Sequence, residues 1–383
     1  MTRRLLASVA LPFALLVVTL GVPLSPATAQ EQGTLITSDP VADTPPGMQA
    51  WRISYWTRDD TQRLIPVTGM VIAPREAAPR AKRPVIAWAH GTSGVMPRCA
   101  VSTNPLIFSV TPALPEMIAA GYVVVAPDYP GLGSTGPHGY LAGEETARSV
   151  LDAVRAAQQI PGAHAGSRFA VWGESQGGHA ALWTAREART YARDLTLVGT
   201  AAAAPPTAIA ENFRRASEPN VKAMLTAYVA YSWSQKYGAP LNTLFGKVNR
   251  GIATRLAQNN CIELGMTPKL GTVVGILSVR GSIKGKDIGR IEPWASLAQK
   301  NSIDPALVPS PVLIAQSVKD PVIAPAVTRN FAAGLCKHRK AVRYVALPGG
   351  DHAHSARDSA SVTLAWIADR FAGLRAPDDC PRL

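Results

Sequence analysis

Residues 168–183 read RFAVWGESQGGHAALW, and the way this stretch turns decides the fold. A strand-like apolar run ends in Gly173-Glu174-Ser175-Gln176-Gly177-Gly178, and an Ala-rich helical pattern begins at once. A turn that tight strains its tip, and the tip is Ser175. In a strand–turn–helix elbow of this kind the serine hydroxyl is pushed above the sheet. Gly173 and Gly177 are required because side chains there would collide with the neighbouring strand and helix. The backbone N–H of Gln176 then faces the hydroxyl at a helix start, where it can stabilise an oxyanion. The plain alternative is a glycine-rich turn with an idle serine.

Outward from the elbow, strand and helix alternate. PVIAWAHG (84–91), GYVVVAPDYPG (121–131), LTLVGTAAAAPP (195–206) and PVLIAQSVKDP (311–321) are short apolar runs ending in Gly, Pro or Asp. Such runs suit strands buried on both faces of a parallel sheet. EETARSVLDAVRAAQQI (144–160) and GGHAALWTAREARTYARD (177–194) repeat apolar residues every three to four positions, as amphipathic helices do. Ahead of them, past a Pro-rich linker, AWRISYWTRD and LIPVTGMVIAP flank the polar DTQR and predict an antiparallel strand pair. The fold class is therefore α/β: a mostly parallel, doubly wound sheet led by an antiparallel hairpin. Residues 206–308 break the alternation with helical stretches and the Gly-rich LGTVVGILSVRGSIKGKDIG. A connection that long is an inserted, mainly helical cap rather than a loop. The expected organisation is a leader at 1–29, a core at 30–205 and 309–383, and the cap between them.

The leader reading rests on MTRR, the apolar run at 5–22, and Ala27-Thr28-Ala29, whose small residues fit a signal peptidase site. The run also reaches the lower length limit of a spanning helix. The Ala-x-Ala site and the Pro-rich stretch before it favour cleavage near Gln30, and a secreted or periplasmic protein. Beyond the leader no apolar run is long and charge-free enough to cross a bilayer. Four cysteines, Cys99, Cys261, Cys336 and Cys380, read as two disulfides in an exported chain, with three pairings open. None has zinc-ligand spacing. The net charge of +13 loses two with Arg3 and Arg4, leaving +11, but the basic residues are dispersed and carry no nucleic-acid module signature.

A serine needs a base, and the base a carboxylate to orient it. In an elbow fold the order is Ser, then acid, then His, each in a loop after a later strand. Asp320 follows a strand in PVLIAQSVKDP, and His352 and His354 follow the next in VRYVALPGGDHAHSA. The residues alone favour His352 over His354 only slightly. Asp304 precedes its strand, Asp128 opens a structural turn, and Glu174 at the elbow points elsewhere. A metal reading of Asp351-His352-His354 lacks a further ligand cluster. The second oxyanion donor is expected in the loop His90-Gly91-Thr92-Ser93-Gly94, with the N–H of Thr92 first and Gly91 next. His90 either orders that loop or is a satisfied strand-end histidine, and His179 packs beneath the site.

Taken together, AWAHGTSG followed by Cys99, DYPGLG with HGY after it, GESQGGHAA, SVKDPVIAP and GGDH in this order resemble the secretory lipase family, α/β-hydrolases that include yeast lipase A. The resemblance covers most of the chain past the leader. It implies the α/β-hydrolase fold and a triad of Ser175, Asp320 and His352, since the family histidine directly follows an acidic residue. It also implies the pairs Cys99–Cys261 and Cys336–Cys380, the first tying cap to core.

The expected activity is carboxylic-ester hydrolysis, lipase or esterase, with no metal or organic cofactor. The expected partner is a small ester or lipid substrate, met in part at an interface. Nucleic acid and stable membrane insertion are not expected, and the chain is read as a monomer. Rival readings are peptide or acyl-amide hydrolysis or acyl transfer by the same triad, and a non-catalytic envelope or polyanion-binding protein. Tyr228, Tyr231, Trp233 and Tyr237 either line an acyl tunnel or, as their helical spacing favours, form cap core.

Overall fold

The computed structural model describes residue 2 and residues 30–77, 79–262, 269–309, 311–349 and 352–383. The leader expected at 1–29 thus lies, but for residue 2, outside the described residues, as does Asp351.

The described residues from Gln30 onward begin with three antiparallel strands, β1 (Leu35–Pro40), β2 (Met48–Arg58) and β3 (Leu64–Pro74). The last two are the predicted pair. β1 is an addition, in a stretch read as linker: its side chains are exposed or half-buried, so it carries no apolar alternation to announce it. Next come β4 (Arg83–Ala89), the short helices α1 (Ile107–Val110) and α2 (Leu114–Ala119), and β5 (Val123–Pro127). Then follow α3 (Gly143–Gln158), β6 (Ala165–Glu174), α4 (Gln176–Tyr191) and β7 (Thr196–Ala203).

Among the described residues nine strands form one sheet in the order β1-β2-β3-β5-β4-β6-β7-β8-β9, where β8 is Val312–Ser317 and β9 is Val342–Leu347. β3 meets β5 antiparallel, and every pair from β5 onward is parallel. The sheet is buried on both faces, which explains the unbroken apolar runs. On one face Val85, Val123, Phe169 and Val171 pack with Val150, Val154 and Ala180 of α3 and α4. On the other, Ile86, Val124, Ala170 and Trp172 pack with Met117 of α2 and with Trp366 and Ile367. Trp88 and Trp172 meet edge to face there at 5.2 Å.

Between β7 and β8 the described residues form α5 (Ile209–Arg215), α6 (Pro219–Tyr237), α7 (Lys247–Asn259), α8 (Leu270–Ile283) and α9 (Trp294–Asn301), with short 3-10 turns. These helices bury a cluster of their own, including Tyr228, Trp233, Phe245, Leu256, Val279 and Trp294. They are tied to the sheet region by the Cys99–Cys261 disulfide and by Trp233 Nε1 donating to Tyr140 O at 2.8 Å. The second disulfide, Cys336–Cys380, joins α10 (Pro325–Lys337) to the C-terminal segment beyond α11 (Ser355–Asp358) and α12 (Ala360–Phe371). Both pairings are those that the family resemblance implied. Residues from Glu31 to Leu383 pack as one compact unit.

Candidate active site

Ser175 stands between β6 and α4 with φ 54° and ψ −119°, a region non-glycine residues rarely occupy. Two backbone bonds pin it: its N–H donates to Ala203 O at 2.8 Å, and its carbonyl accepts from His179 N at 3.0 Å. The flanking glycines are steric necessities. A Cβ on Gly173 would lie 2.1 Å from Gly177 O, and one on Gly177 would lie 1.8 Å from Ala89 O. The turn can therefore close onto β4 only if both positions lack side chains.

Because β6, β8 and β9 run parallel, their C-terminal ends deliver their loops to one edge of the sheet. Asp320 arrives after β8 and is buried at 5% exposure. Its Oδ1 accepts from the N–H groups of Val322 and Ile323, both at 2.8 Å, and Oδ2 accepts from Gln316 Nε2 at 3.1 Å. These donors fix the carboxylate and leave Oδ2 facing His352 Nδ1 at 2.8 Å. A carboxylate oxygen only accepts, so the proton belongs on Nδ1 and the lone pair on Nε2. Nε2 lies 2.9 Å from Ser175 Oγ, placed to receive its proton. The histidine joining acid to serine is His352, while His354 stands at the start of α11. Asp304 caps a 3-10 turn, and Asp128 is fully buried with Thr68 and Ser102 as partners. Among the described residues no three His, Cys, Asp or Glu side chains are grouped to hold a metal.

As the sequence predicts, Glu174 is not the carboxylate that meets His352 Nδ1; its Oε1 accepts from Ala356 N at 2.7 Å. This bond ties the serine's turn to the segment that follows His352. Ser355 Oγ adds a bond to His352 O at 3.2 Å.

Behind the serine lies a buried polar chain. Gln176 Nε2 lies 2.6 Å from His138 Nε2, and His138 Nδ1 lies 2.9 Å from Pro130 O. The carbonyl accepts from Nδ1–H, so the unprotonated Nε2 accepts from the Gln176 amide. Burial lowers the His138 pKa to about 3, against the opposing pull of Pro130 O, keeping the ring neutral. In the loop after β4, Thr92 Oγ1 and Tyr140 OH are 2.9 Å apart, and burial raises that phenol to about 12. His90 stacks on Tyr129 at 4.2 Å, and Tyr129 OH donates to His90 O at 2.8 Å. His179 is buried on α4, with Nε2 donating to Asn301 O at 2.7 Å, and burial lowers its pKa to about 4.

A cleft of about 450 Å³, part of it open to solvent, adjoins Ser175. Its wall is mostly apolar: Leu141, Ile209, Phe213, Leu225, Val322 and Ile323 among others. Asn212 and Lys222 line it too, and nothing in the sequence reading singled them out. The aromatic stretch of α6 is elsewhere. Tyr228 and Trp233 are fully buried among the helices, and Tyr231 and Tyr237 accept bonds from Gln258 and Asn301.

The likeness to known proteins agrees with this architecture. A mycobacterial protein, named a probable inactive lipase of Mycobacterium tuberculosis, is 26% identical over 79% of this chain and 69% of its own length. Lipase 5 of Candida albicans is 23% identical over 70% of this chain, a match spanning 58% of that lipase. Among solved structures, Candida antarctica lipase A in its closed state superposes with a TM-score of 0.73 at 17% identity, covering 91% of this chain and 84% of that one. A rice cell wall degrading esterase from Xanthomonas oryzae gives 0.68 at 19% identity, over 89% and 98% of the two chains. These superpositions establish the α/β-hydrolase fold. The model of the secretory lipase family matches residues 101–379, and the chain belongs to that family.

Proposed function

We propose that this chain is a secreted serine hydrolase that cleaves carboxylic esters through an acyl-enzyme on Ser175. The observation that carries the reading is the continuous pair of bonds from Asp320 Oδ2 through His352 to Ser175 Oγ, 2.8 and 2.9 Å long. His352 Nε2 takes the Ser175 proton as Oγ attacks the ester carbonyl, and the imidazolium formed is stabilised by Asp320. The carbonyl π electrons move to oxygen, where the backbone N–H groups of Gln176 and Thr92 hold the oxyanion. Collapse breaks the bond to the alcohol, which leaves with the proton from His352. Water then repeats the sequence on the acyl-enzyme and releases the acid.

One relative bears the name probable inactive lipase. Activity in this chain is supported by its own residues, since His352 lies within hydrogen-bonding distance of both Ser175 and Asp320. The two disulfides support an oxidising destination, in line with the expected leader. The helices between β7 and β8 act as a cap: α5 and α6 contribute Ile209, Phe213 and Leu225 to the cleft beside Ser175.

A fluorophosphonate probe tests the reading, because it reacts only with an activated serine. Stoichiometric labelling localised by mass spectrometry to Ser175, and lost in Ser175→Ala, is expected. A folded native chain that takes up no label would be a hydrolase fold without its chemistry.

A further inference from the structure

The segment HGY (138–140), between β5 and α3, takes no part in the proton path from Asp320 to Ser175. Its two large side chains each end on a residue whose backbone N–H holds the oxyanion in the proposed mechanism. His138 Nε2 accepts from Gln176 Nε2 at 2.6 Å, and Tyr140 OH lies 2.9 Å from Thr92 Oγ1. Among the described residues neither of those two N–H groups donates to another protein group, so both are free for a substrate oxygen. The segment itself is gripped from α6. Ser232 Oγ accepts from Tyr140 N and donates to His138 O, both at 2.6 Å, and Trp233 Nε1 donates to Tyr140 O at 2.8 Å. His138, Tyr140, Ser232 and Trp233 are all buried, where water does not compete for these bonds.

An oxyanion donor works only while it is aimed at the place where charge develops, and an error of about 1 Å costs on the order of 10²-fold in rate. Thr92 needs support most, because it lies in the loop after β4, outside any helix or strand that would fix its N–H. We propose that His138 and Tyr140 are positioning residues that aim the N–H groups of Gln176 and Thr92, and that α6 sets this aim through Ser232 and Trp233. The packing of α6 is thereby coupled to the chemical step, although Ser232 does not line the cleft. This inference rests on the reading of Ser175 as an ester-cleaving nucleophile with those two N–H groups as its oxyanion donors. Tyr140 also lines the cleft, so a part as mere wall is the rival that the test must separate.

The test is a double-mutant cycle on kcat for p-nitrophenyl butyrate, with sites counted by exhaustive fluorophosphonate labelling so that unfolded molecules do not enter the rate. Tyr140→Phe and Thr92→Val remove the two ends of one bond and leave every backbone N–H in place. Each is expected to lower kcat about 10-fold with KM changed by less than about twofold, and the double variant to fall no further than either single one. Gln176→Met, which cuts the bond to His138, and Ser232→Ala are expected to lower kcat about 5-fold or more, again at constant KM. The Ki of 1-butaneboronic acid, whose tetrahedral adduct on Ser175 sets an oxygen toward the same donors, should rise as kcat/KM falls, while that of butyramide, a ground-state analogue, holds. A higher KM at native kcat in Tyr140→Phe, losses that multiply in the double variant, an unchanged boronate Ki, or native kcat in Ser232→Ala would each overturn the inference while leaving the esterase reading standing. No hydrolysis of any ester by the native chain, or hydrolysis undiminished in Ser175→Ala, would overturn the esterase reading and this inference with it.

Discussion

Ser175 keeps its left-handed backbone because two neighbours have no side chain. At Gly177 an added Cβ would meet Ala89 O, a backbone atom of β4 that cannot swing aside. Gly177→Ala should therefore displace β4, lower stability by about 3 kcal/mol and abolish turnover. Gly246→Ala, where a Cβ meets nothing within 4 Å, is the control and should stay within about 0.5 kcal/mol of the native chain. Urea unfolding of both variants decides the matter, and equal stability would refute the steric argument. The elbow was legible in sequence because its requirements are local: a strand, two glycines at fixed spacing and a helix. The choice between His352 and His354 was not, since two residues apart in one turn both reach the same loop. The Glu174 bond to Ala356 joins positions far apart in the chain, and no local pattern encodes it.

At the scale of elements, α6 shows why the helices over the sheet were readable as helices but not as surfaces. Its residues Ala227 to Trp233 are buried in succession, so the apolar period marks no single face. The same helix sends Leu225 and Lys222 to the cleft and, from its last turn, Lys236 to Asp60 at 2.9 Å and to Glu145 at 2.5 Å. Glu145, on α3, is buried, and burial raises its pKa from about 4.5 to about 7, with Lys236 pulling against the rise. Between those values the folded chain holds a proton that the unfolded chain has released. This group therefore costs stability as pH rises through that window. Lys236 is raised above the ordinary lysine range, so its contribution is lost only at much higher pH. Glu145→Gln removes the titration while Asp60 still partners Lys236. Its stability relative to the native chain should climb between about pH 5 and pH 8. A difference flat across that range, measured by urea denaturation, would contradict the assignment. β1 escaped the sequence reading for the converse reason, having no buried face to pattern its residues.

Across the whole molecule, the order Ser, Asp, His and the parallel runs were enough to place three loops at one sheet edge. The cleft was not legible, because Tyr140, Asn212, Lys222 and Val322 come together only through the packing of α5 and α6 beside the β8 loop. Ester hydrolysis through Ser175 is the activity proposed for this assembly. The measurement that tests it most directly is the rate on p-nitrophenyl esters from acetate to palmitate, for the native chain and for Ser175→Ala verified as folded by circular dichroism. Turnover by the native chain and a loss of at least about 10³-fold in the variant are expected. Comparable rates from the two proteins, or no turnover by the native chain on any ester of the series, would contradict it.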